Sequence, residues 1–188
     1  MDPGLAPNDI KLFYKYLDKA SHYFEYGTGG TTYQASIRKN IKSITTVETD
    51  YIWFKQFKFL LEDKHIKCIY CEMDSKPNTW GNPGPNSTLE QYINYSDQIR
   101  KVETNQIDFI LIDERFRVAC CLKCFDVIND NCLIAFDDFL NRKEYHVVLD
   151  YYEVIDKSKD NIMVILKKKK KIQPPSKELI EKYEKIQN

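Results

Sequence analysis

Short apolar runs alternate along the chain with segments in which apolar residues recur at helical spacing. The runs predict five strands, at 21–26, 43–48, 66–73, 107–113 and 132–136. The remaining segments predict helices from Ile10 onward and then at 31–39, 51–62, 89–102, 115–128 and 142–150. Such alternation predicts a parallel sheet that is covered by helices on both faces.

The pattern changes near the C-terminus. Apolar runs at 152–155 and 162–166 are separated by six residues, too few for the helix that joins parallel strands. They predict an antiparallel hairpin. The expected fold class is therefore α/β, with a Rossmann-like, doubly wound sheet that is mostly parallel and ends in an antiparallel hairpin strand.

This pattern divides the chain of 188 residues into an N-terminal helix (1–22), one Rossmann-like domain (23–171) and a C-terminal helical tail (172–188). The lysines at 167–171 continue past the hairpin. They are expected to be a solvated strand end with a basic tail. A nucleic-acid patch is the alternative, which the lack of interleaved aromatic residues and the zero net charge disfavour.

A glycine-rich loop follows the first predicted strand. Gly27 and Gly29 match the opening of the pattern GxGxxG, although Thr32 stands at the third glycine. Glycine lets the backbone approach a ligand closely. Glu48 ends the next predicted strand, 21 residues after Gly27, where a carboxylate can accept hydrogen bonds from ribose hydroxyls. The unit predicts a nucleoside-binding site, and a tight turn without a ligand is the alternative.

Composition narrows the function classes. The 28 basic and 28 acidic residues cancel, whereas a dedicated nucleic-acid binder is expected to carry a basic excess. No apolar run approaches the ~18 residues of a membrane span, and the first residues lack the features of a signal peptide. We expect a cytoplasmic protein without a membrane partner. A homo-oligomer is compatible with the sequence, which does not fix the oligomeric state.

Acidic residues follow the predicted strands from the second to the fifth. They are Glu48, Asp74, Asp113 and the pair Asp137-Asp138. Because the carboxyl ends of parallel strands meet at one edge, these carboxylates are expected to line a single cleft. Each one alone is also typical of a helix cap or a turn.

The segment at 75–87 is rich in Pro, Gly and Asn and is too punctuated for regular structure. A long loop at this edge of a sheet is often a lid or a substrate wall. Trp80 within it is a candidate for stacking on a ligand, and the alternative is that its ring pins the loop to the body.

A parallel sheet closed by an antiparallel strand resembles the class I S-adenosylmethionine-dependent methyltransferases. This resemblance implies that the turn from Glu25 through Gly27 to Gly29 approaches the methionine part of S-adenosylmethionine, that Glu48 binds the ribose and that Asp74 lies near the adenine. The implied cofactor site also includes Thr28, Thr31, Thr49 and Asp113.

Several blocks resemble one branch of small methyltransferase-like proteins. They are FEYGTGGTT (24–32), VETD (47–50), WGNP (80–83), IDERFRVAC (112–120) and FDDF (136–139). The branch usually has VDGRFRVAC in the fourth block, so Glu114 replaces a glycine. RFRVAC is the most specific part of the likeness, which covers about residues 23–168.

A more distant likeness is to macrocin- and novobiocin-type sugar O-methyltransferases. It implies that Asp113, Asp137 and Asp138 hold Mg²⁺, a cation that prefers oxygen ligands. Those enzymes have an acidic general base at the position of Arg115. Either another residue is the base here, with Asp138, His146 and Glu114 as candidates, or the metal mechanism does not carry over.

Arginines are candidates for holding the substrate. Arg115 and Arg117 can clamp a phosphate or carboxylate, and pairing with the acids of the cleft is the alternative. Arg142 is a further candidate for substrate binding. The catalytic candidates are Asp113, Asp138, Arg115 and His146, although a histidine within a helix is more often a packing residue.

The leading hypothesis is a methyltransferase that modifies an oxygen or nitrogen of a small polar acceptor, a sugar or nucleotide-sugar. A non-catalytic protein that keeps the cofactor fold and a nicotinamide-dependent oxidoreductase are the alternatives.

Overall fold

A computed structural model describes residues 1–60, 65–77, 79–160 and 162–187. The helices are α1 (Pro7–Leu17), α2 (Gly30–Ser36), α3 (Tyr51–Leu60), α4 (Leu89–Ser96), α5 (Arg117–Val127) and α6 (Lys177–Tyr183), with 3₁₀ segments at Gln98–Lys101 and Lys143–Asp150. The strands are β1 (His22–Tyr26), β2 (Ser43–Glu48), β3 (Ile66–Tyr70), β4 (Phe109–Ile112), β5 (Leu133–Phe136), β6 (Tyr152–Lys157) and β7 (Val164–Lys168).

The described strands form one sheet in the order β3-β2-β1-β4-β5-β7-β6. Strands β1 to β5 are parallel to one another, and β7 runs antiparallel between β5 and β6. The register aligns Tyr26 with Val47 and Ile112, and Ile112 with Phe136. The carboxyl ends of these strands therefore meet at one edge, and the order in which successive strands are added reverses between β1 and β4. The Rossmann-like fold and its antiparallel closing hairpin are confirmed.

Both faces of the sheet are buried. Alternate residues of β1 point to opposite sides, so Phe24 and Tyr26 belong to one core cluster while Tyr23 belongs to the other, together with Phe109. Strand β4 is buried along its whole length, as the apolar run predicts for a central strand. Glu25 shares the Tyr23 side of the sheet and is fully buried there.

Both terminal helices pack on this core. Leu12, Phe13 and Leu17 of α1 join the Tyr23 side, and Ile180 and Tyr183 of α6 join the opposite side. These contacts place the predicted N-terminal helix and C-terminal tail directly against the sheet domain.

A buried lysine connects α6 to the rest of the domain. The Nζ of Lys123 lies 2.5 Å from Oε1 of Glu184 and 2.9 Å from Oδ1 of Asp97, and it donates to Oγ of Ser96 at 2.8 Å. The Lys123 side chain is 1% exposed and that of Glu184 is 7% exposed. Because Glu184 is buried against Lys123, removal of the lysine leaves a buried carboxylate without its positive partner.

The segment before α1 lies against the start of α2. A Cβ added to Gly30 would lie 1.7 Å from the carbonyl oxygen of Asp2. The side-chain amide of Gln34 also donates to the carbonyl oxygen of Met1 at 2.8 Å. Only glycine fits at position 30 while the N-terminal segment stays in this place.

Several predicted boundaries change. The helix predicted at 89–102 ends at Ser96 and continues as the 3₁₀ segment, and the segment predicted at 142–150 is also 3₁₀ rather than α. Helix α5 begins at Arg117 because Phe116 is left-handed, with φ 54°. The helix predicted at 51–62 is observed to Leu60, and its last two predicted residues lie outside the described part of the chain.

The lysine run is partly structural. Lys168 donates to the carbonyl oxygen of Ile128, at the end of α5, at 3.3 Å, and its Nζ lies 4.7 Å from the ring centroid of Phe125. Lys169 donates to the carbonyl oxygen of Leu149 at 2.7 Å. These two lysines therefore cap neighbouring elements, as cations do at helix C-termini. In the described part of the chain, no helix combines the length and apolar character that crossing a membrane would require.

Candidate functional site

The glycine loop lies at the carboxyl end of β1, where the strand order of the sheet reverses. Gly27 has φ +104°, a conformation that favours glycine, and its N–H donates to Val47 at 2.9 Å. A Cβ added to Gly29 would meet no atom within 4 Å. The backbone of Gly29 therefore faces open space, as a loop that cradles a ligand requires.

The buried carboxylate of Glu25 stabilises the glycine loop through hydrogen bonds. Its carboxylate accepts a hydrogen bond from Tyr23 Oη at 2.7 Å and a second one from the hydroxyl of Thr32. The same hydroxyl accepts the N–H of Gly29 at 2.9 Å. Burial raises the pKa of Glu25 to about 7, against the opposing effect of the hydroxyl donors. Thr32, which breaks the GxGxxG pattern, is thus the link between the loop and the strand beneath it.

Glu48 lies at the end of β2 and is 3% exposed. Its Oε1 accepts the N–H groups of Thr49 and Asp50, both at 2.7 Å, and its Oε2 accepts the N–H of Thr28 at 3.2 Å. These bonds tie the glycine loop to the second strand end. Burial, and then the charge of Glu114, raise the pKa of Glu48 to about 9.

Glu114 stands where the branch that the sequence resembles usually has a glycine, and its carboxyl group lies near Glu48. It accepts the hydroxyl of Thr49 at 3.0 Å and the hydroxyl of Tyr95. Burial raises the pKa of Glu114 as well. A Cβ on Gly81, which has φ +68°, would lie 2.2 Å from Oε1 of Glu114. The loop at 75–87 therefore closes directly over this carboxyl pair.

Hydrogen bonds with Asp74 and Arg115 hold the loop at 75–87. Asp74 accepts the backbone and side-chain N–H groups of Asn86, both at 3.0 Å. The carbonyl oxygen of Trp80 accepts Nε of Arg115 at 3.0 Å, while the Trp80 side chain is 85% exposed. The ring of Trp80 does not pin the loop to the body, so that alternative is wrong.

Arg117 lies among the three aspartates that end β4 and β5. Its Nη2 is 3.3 Å from Oδ1 of Asp113, and its Nη1 is 3.6 Å from Oδ2 of Asp137 and 3.4 Å from Oδ2 of Asp138. Nε donates to the carbonyl oxygen of Glu114 at 2.8 Å, and Nη1 donates to that of Asp137 at 2.9 Å. Burial raises the pKa of Asp113, and burial with the neighbouring Asp113 charge raises that of Asp137 to about 8.

The remaining candidates lie beside Asp138. Arg142 Nη2 is 2.8 Å from Oδ2 of Asp138, and its Nη1 donates to Tyr145 Oη at 3.0 Å. The imidazole of His146 stacks on Phe139 with ring centroids 5.2 Å apart, and its Nε2 lies 3.2 Å from the carbonyl oxygen of Phe139. The structure thus surrounds His146 with packing contacts and leaves Arg142 and Asp138 partly exposed.

These residues do not fit the magnesium site that the distant likeness implies. The three carboxylates enclose a guanidinium rather than an open position, and their oxygens lie 3.3–3.6 Å from its nitrogens. Among the described residues, no group of three or more His, Cys, Asp or Glu could hold a metal ion. No metal step is therefore derived for this chain.

Backbone strain concentrates at the same edge. In the described part of the chain, the non-glycine residues with positive φ are Asp74, Trp80, Phe116, Asp138 and Lys171, and all but Lys171 follow β3, β4 or β5 at the carboxyl edge. Strain of this kind often accumulates at ligand sites. Phe116 is also fully buried, so packing holds it in this conformation.

The structure brings most of the predicted residues together at this edge. Glu25, Gly27, Thr28 and Thr31 surround the glycine loop, and Thr31, like Thr28, is buried. Sequence reasoning missed Tyr95, which bonds Glu114 from α4. Tyr95 could have been identified only from its contact with Glu114, and the sequence of α4 contains no pattern that predicts this contact.

The chain is similar in structure to several solved proteins. A methyltransferase-like protein from Silicibacter pomeroyi matches with a TM-score of 0.83 and 21% identity, over 98% of this chain and 97% of that one. A Sulfolobus solfataricus protein named for the type 11 methyltransferases matches with a TM-score of 0.54 and 11% identity, over 90% and 96% of the two chains.

A Staphylococcus aureus protein named as a candidate caffeoyl-CoA O-methyltransferase gives a TM-score of 0.52 and 17% identity, over 88% and 85% of the two chains. No protein-family model and no curated protein matches the chain. At these identities the likeness shows a shared fold, which is the Rossmann-like fold found in methyltransferases.

Proposed function

We propose that this chain is an S-adenosylmethionine-dependent methyltransferase. The observation that carries the proposal is the antiparallel β7, inserted between β5 and β6 in a sheet whose strand order reverses at the glycine loop, with Glu48 at the end of the neighbouring β2. A nicotinamide-dependent fold continues with parallel units instead, which disfavours an oxidoreductase. Similarity to solved proteins that are named as methyltransferases supports the same conclusion.

The residues at the carboxyl edge fit this cofactor. Gly29 leaves the backbone open on the side where a ligand can approach, and Gly27 supplies the positive φ of the turn before it. Oε1 of Glu48 already accepts two N–H groups, whereas Oε2 accepts one and retains a lone pair for a ribose hydroxyl. The remaining residues assigned to the cofactor are Glu25, Thr28, Thr31, Thr49, Asp74 and Asp113. S-adenosylmethionine, when bound, supplies an electrophilic methyl group on a sulfonium.

We assign the acceptor to the class of small polar molecules, a sugar or nucleotide-sugar methylated on oxygen or nitrogen. Arg115 is placed to bind a carboxylate or phosphate group of that acceptor. Its Nε donates to the carbonyl oxygen of Trp80, which fixes its position, and it forms no ion pair with another described residue. The exposed ring of Trp80 beside it offers a flat apolar surface for stacking. Arg142 borders the same cleft through Asp138.

We assign Asp138 as the general base that removes the proton from the acceptor. Its side chain is 35% exposed, whereas Glu114 is buried beneath the loop and His146 packs against Phe139. A base within hydrogen-bond reach of the attacking hydroxyl removes the proton as the bond to carbon forms. Asp113, Arg115 and Arg117 orient the groups around this position.

The test is transfer of a radiolabelled methyl group from S-adenosylmethionine to a panel of sugars and nucleotide-sugars. Product from at least one acceptor, lost in Asp138→Asn, is the expected result. Thermal-shift measurements with S-adenosylhomocysteine and with NAD⁺ separate the cofactor classes, since a ligand at 100 times its dissociation constant adds ~2.7 kcal/mol to stability. Stabilisation by NAD⁺ alone would reject the assignment.

A non-catalytic protein with the cofactor fold is the second candidate. The observation in its favour is the burial of Glu48 beneath Glu114 and the loop at Gly81. Cofactor binding without methyl transfer to any acceptor of the panel would favour this candidate.

A further inference from the structure

We propose that Arg117 is a built-in cation that takes the place of a divalent metal among Asp113, Asp137 and Asp138. The inference rests on the methyltransferase function proposed above and makes that reaction independent of a metal. Arg117 is then a positioning residue, because it acts through the carboxylates that it holds.

The guanidinium occupies the space between the carboxylates. One nitrogen, Nη1, is shared by Asp137 and Asp138, and the other, Nη2, faces Asp113. An Mg²⁺ ion needs oxygen ligands at about 2.0–2.1 Å in near-octahedral geometry. The carboxylate oxygens lie 3.3–3.6 Å from the guanidinium nitrogens. A metal ion and the guanidinium cannot share this position.

The positive charge that the arginines supply equals that of a divalent metal. Asp138 also pairs with Arg142 at 2.8 Å. The two arginines together bring two positive charges to three carboxylates, as one divalent cation would. Arginine stays charged at every pH at which the protein is folded, so this compensation does not depend on the supply of an ion.

The backbone fixes the position of the Arg117 guanidinium, which distinguishes it from a mobile ion pair at the surface. Two backbone carbonyls, of Glu114 and Asp137, fix the plane of the guanidinium through bonds of 2.8 and 2.9 Å. Arg117 is the first residue of α5, and the buried, left-handed Phe116 directs it toward the aspartates. Its side chain is 10% exposed. Anchoring from the main chain distinguishes a structural cation from an incidental ion pair.

The arrangement explains why the residue two positions after Asp113 is not an acid. Arg115 and Arg117 both follow Asp113, and an acidic base suited to a metal-held acceptor is absent from position 115. Arg117 instead keeps the side chain of Asp138 oriented at the cleft, where Asp138 is the proposed general base for the acceptor.

Mn²⁺ binding, followed by electron paramagnetic resonance, tests the proposal without cofactor or acceptor. Wild-type protein is expected to bind no Mn²⁺ at about 1 mM, near the weak end of protein sites for divalent cations. Arg117→Ala removes the guanidinium and is expected to gain one bound Mn²⁺, which the double variant Arg117→Ala/Asp137→Asn loses. Arg142→Ala is the matched control and is expected to bind none, because Arg117 remains in place.

Two results would overturn the proposal. One is Mn²⁺ binding to the wild-type protein that Asp137→Asn abolishes. The other is a folded Arg117→Ala variant that binds no Mn²⁺. If Arg117→Ala does not fold, Arg117→Gln, which is uncharged and keeps hydrogen-bond donors, replaces it under the same criteria. Mn²⁺ binding is measured without methyl transfer. It therefore tests the role of Arg117 even if the proposed methyltransferase function is wrong. A negative methyl-transfer assay rejects the proposed function and does not change the Mn²⁺ result.

Discussion

Replacing Glu114 with glutamine removes one of the two carboxyl groups that face each other beneath Gly81. In the wild-type protein, burial and the charge of Glu114 raise the pKa of Glu48 from 4.5 to about 9. The folded protein therefore holds a proton at this pair that the unfolded chain releases above about pH 4.5. The contribution of this proton to stability is full below that pH and is lost as the pH rises toward 9.

The size of the effect follows from one proton. Each pH unit between the two pKa values lowers the free energy of unfolding by about 1.4 kcal/mol, which amounts to about 3 kcal/mol from pH 6 to pH 8. In Glu114→Gln the negative neighbour of Glu48 is gone and an amide N–H can donate to it. The variant is expected to lose about 1–3 kcal/mol of this pH dependence, since the burial of Glu48 remains.

At pH 6 the variant itself costs about 1 kcal/mol, because either Thr49 or Tyr95 loses a carboxylate acceptor. Urea denaturation of both proteins at pH 6 and pH 8 measures the difference. Glu25 and Asp137 also have raised pKa values, but they contribute equally to both proteins and cancel. The exposed Glu153→Gln is the matched control. Parallel stability curves for wild type and Glu114→Gln would refute the buried carboxyl pair.

Five further substitutions separate effects on binding from effects on stability. Gly29→Ala should leave the free energy of unfolding within about 0.5 kcal/mol but weaken S-adenosylhomocysteine binding at least about tenfold in calorimetry, whereas Gly30→Ala should cost about 1–3 kcal/mol through its clash with the N-terminal segment. Lys123→Met should cost about 3–5 kcal/mol in urea denaturation because it leaves a buried carboxylate unpaired, and Lys177→Met, at an exposed pair, should cost less than about 1 kcal/mol. Trp80→Ala should leave stability unchanged and raise KM for the acceptor with little change in kcat, and an unchanged KM would exclude stacking.

The sequence predicts the fold well because its signals are local. The apolar run around Ile110 and Leu111 and the short connection of the final hairpin determine the strand types without knowledge of tertiary contacts. The glycine loop is equally local, since Gly27 needs a positive φ whatever surrounds it.

The features that the sequence does not predict depend on contacts between distant residues. Phe116 is left-handed only because packing holds it, so the start of α5 is placed two residues too early. The pairing of Lys123 with Glu184 joins residues 61 positions apart. Nothing in the spacing of Asp113, Asp137 and Asp138 shows that an arginine fills the space between them, which is why a metal site was the natural expectation.

Isothermal titration of S-adenosylhomocysteine into the wild-type protein tests the central claim most directly. The account predicts saturable binding at one site per chain, with no comparable heat from NAD⁺. A folded protein that binds neither S-adenosylhomocysteine nor S-adenosylmethionine at about 1 mM, an affinity worth only about 4 kcal/mol, would contradict it.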